Sequence, residues 1–205
     1  MDRKAHWDNI YNTRELKELS WYEPNPETSL YFLEEYKLPK SAGIIDLGGG
    51  DSFFVDHLLH LGYHKLTVVD LSAAALERAK TRLGPKAAPV NWITADIADF
   101  TPSREFDFWH DRAAFHFLTK EEEIENYLNT ASRFVKKGGI LVLGTFSQNG
   151  PKKCSGLEIR QYSPSSLTSL LEQHDFRRLE CFNVDHATPF GTTQNFTFCS
   201  FRNRR

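Results

Sequence analysis

Between Gly43 and Leu143, five short apolar runs alternate with segments whose apolar residues recur at helical spacing. The runs are Gly43 to Leu47, Leu66 to Val69, Val90 to Thr94, Phe106 to Trp109 and Ile140 to Leu143. Each is too short for a stable helix and bounded by turn formers, which predicts buried strands. Between them, Val55, Leu58 and Leu59, then Leu76, Ala79 and Leu83, then Ile124, Leu128, Ala131 and Val135 mark inner helix faces. Strand–helix alternation makes parallel neighbours, because the crossover returns each strand to the same direction. The expectation is an α/β three-layer sandwich around a mostly parallel sheet.

Helix ends carry their own signals. Ser72 can cap the helix that Gly84-Pro85 ends. Thr119 and Glu122 have capping-box spacing, and Lys136-Lys137 suits the negative end of the same helix before Gly138-Gly139 turns the chain. Ser163-Pro164 starts another helix with Leu167, Leu170 and Leu171 inward. The alternation then stops. Arg177 to Val184 and Asn195 to Ser200 read as two strands with a short connection, an antiparallel addition to the sheet.

The first forty residues differ. His6 to Leu19 predicts a short helix anchored by Trp7, Ile10, Tyr11 and Leu19. A Trp21-Tyr22-Glu23-Pro24 loop and a second helix from Glu27 follow, the latter stopped by Pro39. The 205 residues suit a single domain, with residues 1–40 as an N-terminal helical lid. Ser147 to Gly156 is expected to be the most mobile segment.

A formal net charge of -2 gives no general pull toward nucleic acid, and the arginine-bearing Phe201–Arg205 end reads as solubilising. The start of the chain lacks the apolar stretch of a signal peptide, and no run is long enough to cross a bilayer. Cys154, Cys181 and Cys199 form an odd set without a CxxC pair, so free thiols in a cytoplasmic monomer are expected. No metal-ligand spacing stands out.

Chemistry concentrates after the strands. Gly43-Ile44-Ile45-Asp46-Leu47-Gly48-Gly49-Gly50-Asp51-Ser52 delivers a strand into a glycine turn just ahead of a helix. Glycines allow positive φ and close backbone approach, and the amides there can hold a carboxylate. Asp46 can organise the turn or meet an amino group through water. A pyrophosphate is the competing ligand, but GxGxxG needs glycine where Phe53 stands, and Asp51 would repel phosphate. Asp70 ends the second run and can accept from both ribose hydroxyls. Asp96 follows the third. It can accept from an adenine amino group while Ile97 donates its amide and covers the ring.

This set resembles the class I, Rossmann-like S-adenosylmethionine-dependent methyltransferases, over about Ser41 to Phe146. Asp46, Gly48 and Gly50 match that family's acid and glycines after strand one. Asp70 and Asp96 match its acids after strands two and three. Ser52 departs from it, since many members carry glycine there. The resemblance implies a seven-stranded, mostly parallel sheet with an antiparallel C-terminal strand. It also implies S-adenosylmethionine as cofactor, held by Asp46, Gly48, Gly50, Asp70, Leu71, Asp96 and Ile97.

The acceptor side is less marked. After the fourth run, His110 or Asp111 could face the cofactor, and His116 could approach the acceptor. His116 and Asp111 are the catalytic candidates. Arg112 either pairs with Asp111 or meets an anionic acceptor. Trp21, Tyr22 and Phe115 are candidate substrate walls, and His186 could enter the same crevice. A small-molecule acceptor is expected. A protein side chain, a nicotinamide-dependent oxidoreductase and a catalytically silent cofactor-binding module are the alternatives.

Overall fold

The structure is a computed structural model and describes residues 2–205. Seven strands form one sheet in the order β3-β2-β1-β4-β5-β9-β8. The strands are β1 Gly43–Leu47, β2 Lys65–Asp70, β3 Asn91–Thr94, β4 Phe106–Arg112, β5 Val135–Phe146, β8 Phe176–Ala187 and β9 Thr193–Asn203. The first five are mutually parallel, and β9 runs antiparallel to both its neighbours. A two-stranded hairpin, β6 Lys153–Cys154 with β7 Leu157–Glu158, stands apart. The expected α/β sandwich and its reversed C-terminal strand are borne out.

The helices are α1 Arg3–Thr13, α2 Glu27–Glu35, α3 Phe54–His60, α4 Ala73–Leu83, α5 Glu121–Phe134 and α6 Pro164–Glu172. Strand alternation sends the buried side chains to two sides. Ile45, Leu47, Trp109, Leu141 and Leu143 pack with α5 and α6. Ile44, Val68, Phe108 and Val142 pack with α2, α3 and α4. Both faces of the central strands are thus covered, which is why these runs are almost wholly apolar. Each fully buried Leu or Phe contributes about 1.5–3 kcal/mol.

Ser72 caps α4 by accepting from Ala75 N at 3.2 Å. Ser163 caps α6 with Pro164 in its first turn. Two predicted helix signals are corrected. Lys120, not Thr119, is the N-cap of α5, and no side chain caps it. Glu121, Glu122 and Glu123 face the positive helix end instead. Lys136 belongs to β5, where its ammonium lies 2.8 Å from both Asp107 oxygens. The Ser147–Gly156 loop is held by side-chain hydrogen bonds. It ends in the β6–β7 hairpin, and Gln161 Nε2 donates to Ser147 O and Gly150 O at 3.0 and 2.7 Å. No helix among the described residues is long and apolar enough to cross a membrane.

Candidate active site

The parallel strands end at one edge of the sheet, and the crossovers reverse between β1 and β4. A crevice opens at such a reversal, because consecutive connections leave to opposite faces. Here it is a cleft of about 1250 Å³, part of it open to solvent. The β1, β2, β3 and β4 ends all contribute to its wall.

The β1 turn is shaped by what presses on it. Gly48 has φ +64, and a Cβ there would sit 2.4 Å from Ala114 Cβ. Gly50 has φ +43, and its Cβ would meet Asp70 Oδ2 at 2.9 Å and Tyr11 Oη at 3.0 Å. Larger residues would be strained at both positions and would push the β4 loop or Asp70 away. Ser52 needs no glycine: its φ is not positive, and its Oγ accepts from Phe54 N at 3.1 Å. Asp51 is turned to α4, where Arg78 Nε meets it at 2.8 Å and Arg82 also grips it.

Behind the turn, His110 bridges Asp46 and Ser29. Its Nδ1 donates to Asp46 Oδ1 at 2.7 Å, and its Nε2 lies 2.9 Å from Ser29 Oγ. All three are buried and line the cleft. Asp70 Oδ1 accepts from Ser72 N at 2.8 Å. Burial, reinforced by nearby Asp46 and Asp8, lifts the Asp70 carboxyl to about 7. Asp96 Oδ1 accepts from Ala98 N at 3.0 Å, and its Oδ2 meets Arg3 Nη2 at 3.1 Å.

A methyltransferase-domain family profile matches residues 44–139, which carry the turn and the ends of the first four strands. The chain has the class I, Rossmann-like methyltransferase fold. Its backbone is similar to Burkholderia thailandensis 1,6-didemethyltoxoflavin-N1-methyltransferase, solved with 1,6-didemethyltoxoflavin and S-adenosylhomocysteine bound. There the TM-score is 0.76 at 17% identity, covering 98% of this chain and 87% of that one. A methyltransferase from Anabaena variabilis gives 0.75 at 14% identity, covering 100% and 96%. In sequence, zebrafish (Danio rerio) EEF1A lysine methyltransferase 2 is 26% identical over 158 residues, 68% of this chain and 66% of that protein. Malonyl-[acyl-carrier protein] O-methyltransferase of Anoxybacillus flavithermus is 35% identical over 82 residues, 39% and 30% of the two chains. The chain thus spans just under two thirds of the first of these relatives and under a third of the second.

Within this methyltransferase fold, Asp46, Gly48, Asp70, Leu71, Asp96 and Ile97 all line the one cleft, together with Trp21, Tyr22 and Arg112. Gly50 sits just behind, against Asp70. Three predicted site residues are placed elsewhere. Asp111 is fully buried and accepts from Ala114 N, Phe115 N and Tyr127 Oη at 3.0, 3.0 and 2.9 Å. It fixes the β4 loop and does not face the cleft. His116 is fully buried beneath Phe117 and Phe146. Phe146 N donates to its Nδ1 at 3.2 Å, and burial, then Arg112, pushes its pKa down to about 3. It does not line the cleft. Phe115 packs inside, 4.8 Å from Tyr127 and 5.4 Å from Tyr162.

Arg112 pairs with Glu23 at 2.9 Å, not with Asp111. His186 does reach this region: its Nε2 donates to Ser20 O at 2.8 Å, and its Nδ1 lies 3.4 Å from Arg112 Nη2. Cys154 lines the cleft as a free thiol, pushed up to about 11 by burial. The free-thiol expectation fails for the other two cysteines, because Cys181 and Cys199 are disulfide-bonded. Arg3 and Gln194 are wall residues outside the predicted segments, while Trp7, Tyr11, Glu23 and Ser29 lie in the two N-terminal helices and the Trp21–Pro24 loop that the sequence singled out. Glu23 was within reach of sequence reasoning, adjoining Trp21-Tyr22. Arg3 was not, since its partner Asp96 lies ninety-three positions away.

Proposed function

We propose that this chain is an S-adenosylmethionine-dependent methyltransferase acting on a small-molecule acceptor. The carrying observation is that the glycine turn, Asp70 and Asp96 line a single elongated cleft at the ends of three adjacent parallel strands. The donor set fits an amino-acid nucleoside. The amides of the Gly48–Gly50 turn hold the carboxylate, and Asp46, steadied by His110, lies beside the amino group. Asp70 accepts from the ribose hydroxyls, Asp96 accepts from the adenine amino group, and Ile97 covers the base with Leu71 alongside. The bound cofactor supplies an electrophilic methyl on a positive sulfonium. The protein's task is then to line up an acceptor lone pair behind it and exclude water, which is where most of the acceleration arises. We read the working unit as a monomer that acts without nucleic acid.

Calorimetry with S-adenosylmethionine, S-adenosylhomocysteine, NAD and NADP tests the cofactor. Stoichiometric binding of the first two alone is expected, and preference for a dinucleotide would reverse the assignment to an oxidoreductase. Methyl-label transfer into a fractionated cell extract tests the acceptor, and any reproducible turnover removes the silent-module reading. A protein side chain is the second reading, favoured by the match to EEF1A lysine methyltransferase 2. Label in the protein fraction, and none in low-mass material, would select it.

A further inference from the structure

The acceptor half of the cleft lies between the Trp21–Glu23 loop and β9, and two acceptor oxygens in it stand without a donor among the described residues. Glu23 Oε2 meets Arg112 Nη2 at 2.9 Å, while Glu23 Oε1 has no hydrogen bond or ion pair among the described residues. Gln194 Oε1 is buried without a partner. A buried acceptor left unmatched costs about 1–3 kcal/mol, so it awaits a donor. Gln194 is the cross-strand partner of His186, so the two side chains share one face of the sheet. Phe196, two residues on, shares that face too, and the Arg112 guanidinium lies 5.2 Å from its ring. Phe146 meets Phe196 edge-on at 4.8 Å.

The other acids and histidines of the cleft are committed elsewhere. Asp46 holds His110, whose second nitrogen meets Ser29. Asp51 holds Arg78 and Arg82, and Asp96 holds Arg3. Asp70 sits against the Gly50 turn at the nucleoside end.

Resting on the methyltransferase reading above, we propose that the acceptor is a planar, weakly basic nitrogen heteroaromatic. One of its N–H groups is methylated with Glu23 as general base, and a second N–H donates to Gln194 Oε1. Two acceptor oxygens between aromatic walls select a flat molecule rich in N–H donors. A thiolate or a carboxylate would meet these oxygens, the free Cys154 thiol and an arginine already neutralised by Glu23. An aliphatic amine is protonated near neutral pH and would pair with Glu23 without a lone pair to offer. A heteroaromatic nitrogen keeps its lone pair, and on methylation becomes acidic enough for a carboxylate to deprotonate. In the step, the nitrogen lone pair forms the N–C bond as the methyl C–S bond breaks with its electron pair staying on sulfur. The N–H proton passes to Glu23 Oε1 and then to water. Arg112 positions Glu23.

The test uses the full chain. Methyl-label transfer is measured with lumazine, xanthine and imidazole against butylamine, thiophenol and benzoate, with S-adenosylhomocysteine binding followed by calorimetry in parallel. Label is expected in the heteroaromatic N–H compounds. Glu23→Gln is expected to lower kcat about a hundredfold or more, and to remove the acidic limb of the kcat–pH profile. It should leave S-adenosylhomocysteine binding within about twofold, which also reports a folded variant. Gln194→Leu is expected to raise KM about tenfold with kcat little changed. Intact S-adenosylhomocysteine binding with label only in the amine, thiol or carboxylate, or in none of the six, overturns the acceptor class while the cofactor reading stands. Unchanged kcat and pH profile in Glu23→Gln overturns the base. Failure of wild type to bind S-adenosylhomocysteine instead defeats the methyltransferase reading itself.

Discussion

Asp70 is where burial and ligand chemistry meet most directly. Its carboxyl is held up at about 7 by burial, with Asp46 and Asp8 adding to the effect. Ribose hydroxyls donate hydrogen bonds, so they bind the ionised form. The protein must release a proton from Asp70 to bind cofactor at low pH, and affinity should fall about tenfold per unit below pH 7. S-adenosylhomocysteine titrations at pH 6, 7 and 8 read this directly. Asp70→Asn should flatten the dependence and weaken binding at pH 8 by about 1–3 kcal/mol. A wild-type affinity that ignores pH would remove Asp70 from the ribose site. For folding the sign follows from the raised value: the native state holds this proton, and the stability it contributes is lost as pH rises through 7. His116 works the opposite way. Its pKa is pushed down to about 3, so its contribution is complete above the ordinary histidine value and is lost as pH falls toward 3. His116→Ala leaves a void in a packed wall and should cost about 2–4 kcal/mol of stability. The kcat–pH profile of the folded fraction should not move. A lost basic or acidic limb in that variant would return His116 to the chemistry.

At the scale of elements, α1 lines the cleft with Arg3, Trp7 and Tyr11 and is tied at three places. Arg3 bridges Asp96 and Glu123, each at 3.1 Å. Ser72 Oγ donates to Asp8 Oδ1 at 2.6 Å, beside Asp70. Arg78 donates to Tyr11 O and Arg14 O at 2.9 and 2.7 Å. A helix fixed this way must loosen before cofactor leaves. Arg3→Ala should therefore speed S-adenosylhomocysteine release, by about tenfold at low salt. Because Arg3 is 30% exposed, salt should narrow the gap between variant and wild type. Stopped-flow displacement at two ionic strengths decides it, and equal release rates would unseat α1 as a cover. These ties also mark where the sequence stops being readable. The five parallel strands were legible because each is a closed apolar run followed by a turn former, a local signal that tertiary packing reinforces. The positions of Asp70 and Asp96 were legible for the same reason: Asp70 closes β2, and Asp96 is the first polar residue after β3. The start of α5 was misplaced because Thr119 and Glu122 have the right spacing, whereas cap geometry depends on the backbone, which enters the helix only after Lys120. Lys136 was drawn away from α5 by Asp107, a partner on another strand. No local pattern reports such a partner.

For the molecule as a whole, the two ends of the sheet do different work. The parallel half carries the glycine turn, Asp70 and Asp96, while the reversed half carries Gln194 and Phe196. The reversed half is also the one fastened covalently, by Cys181 and Cys199, which face each other across β8 and β9. That pairing was invisible in the sequence because it depends on strand register, and the spacing of eighteen residues matches no motif. Closing a loop of that size restricts the unfolded chain by about 3 kcal/mol. In a chain of 205 residues this amounts to a melting shift of roughly 6–12 °C. Cys181→Ser, or reduction of the wild type, should lower the melting temperature by that order. The more telling outcome concerns the site. β8 is a sheet edge with a single neighbour, whereas β9 is held by β5 on its other side. Losing the tie should loosen β8 first, and with it His186 and the Ser20 carbonyl that it holds near Glu23. Acceptor KM should then rise severalfold while S-adenosylhomocysteine affinity stays level, because Asp46, Asp70 and Asp96, the acids proposed to hold it, lie at the far side of β5. A parallel loss of both would mean that the sheet responds as one rigid body and that acceptor and cofactor halves are not separable. An unchanged KM would mean that the Ser20–Glu23 loop is set by Arg112 alone.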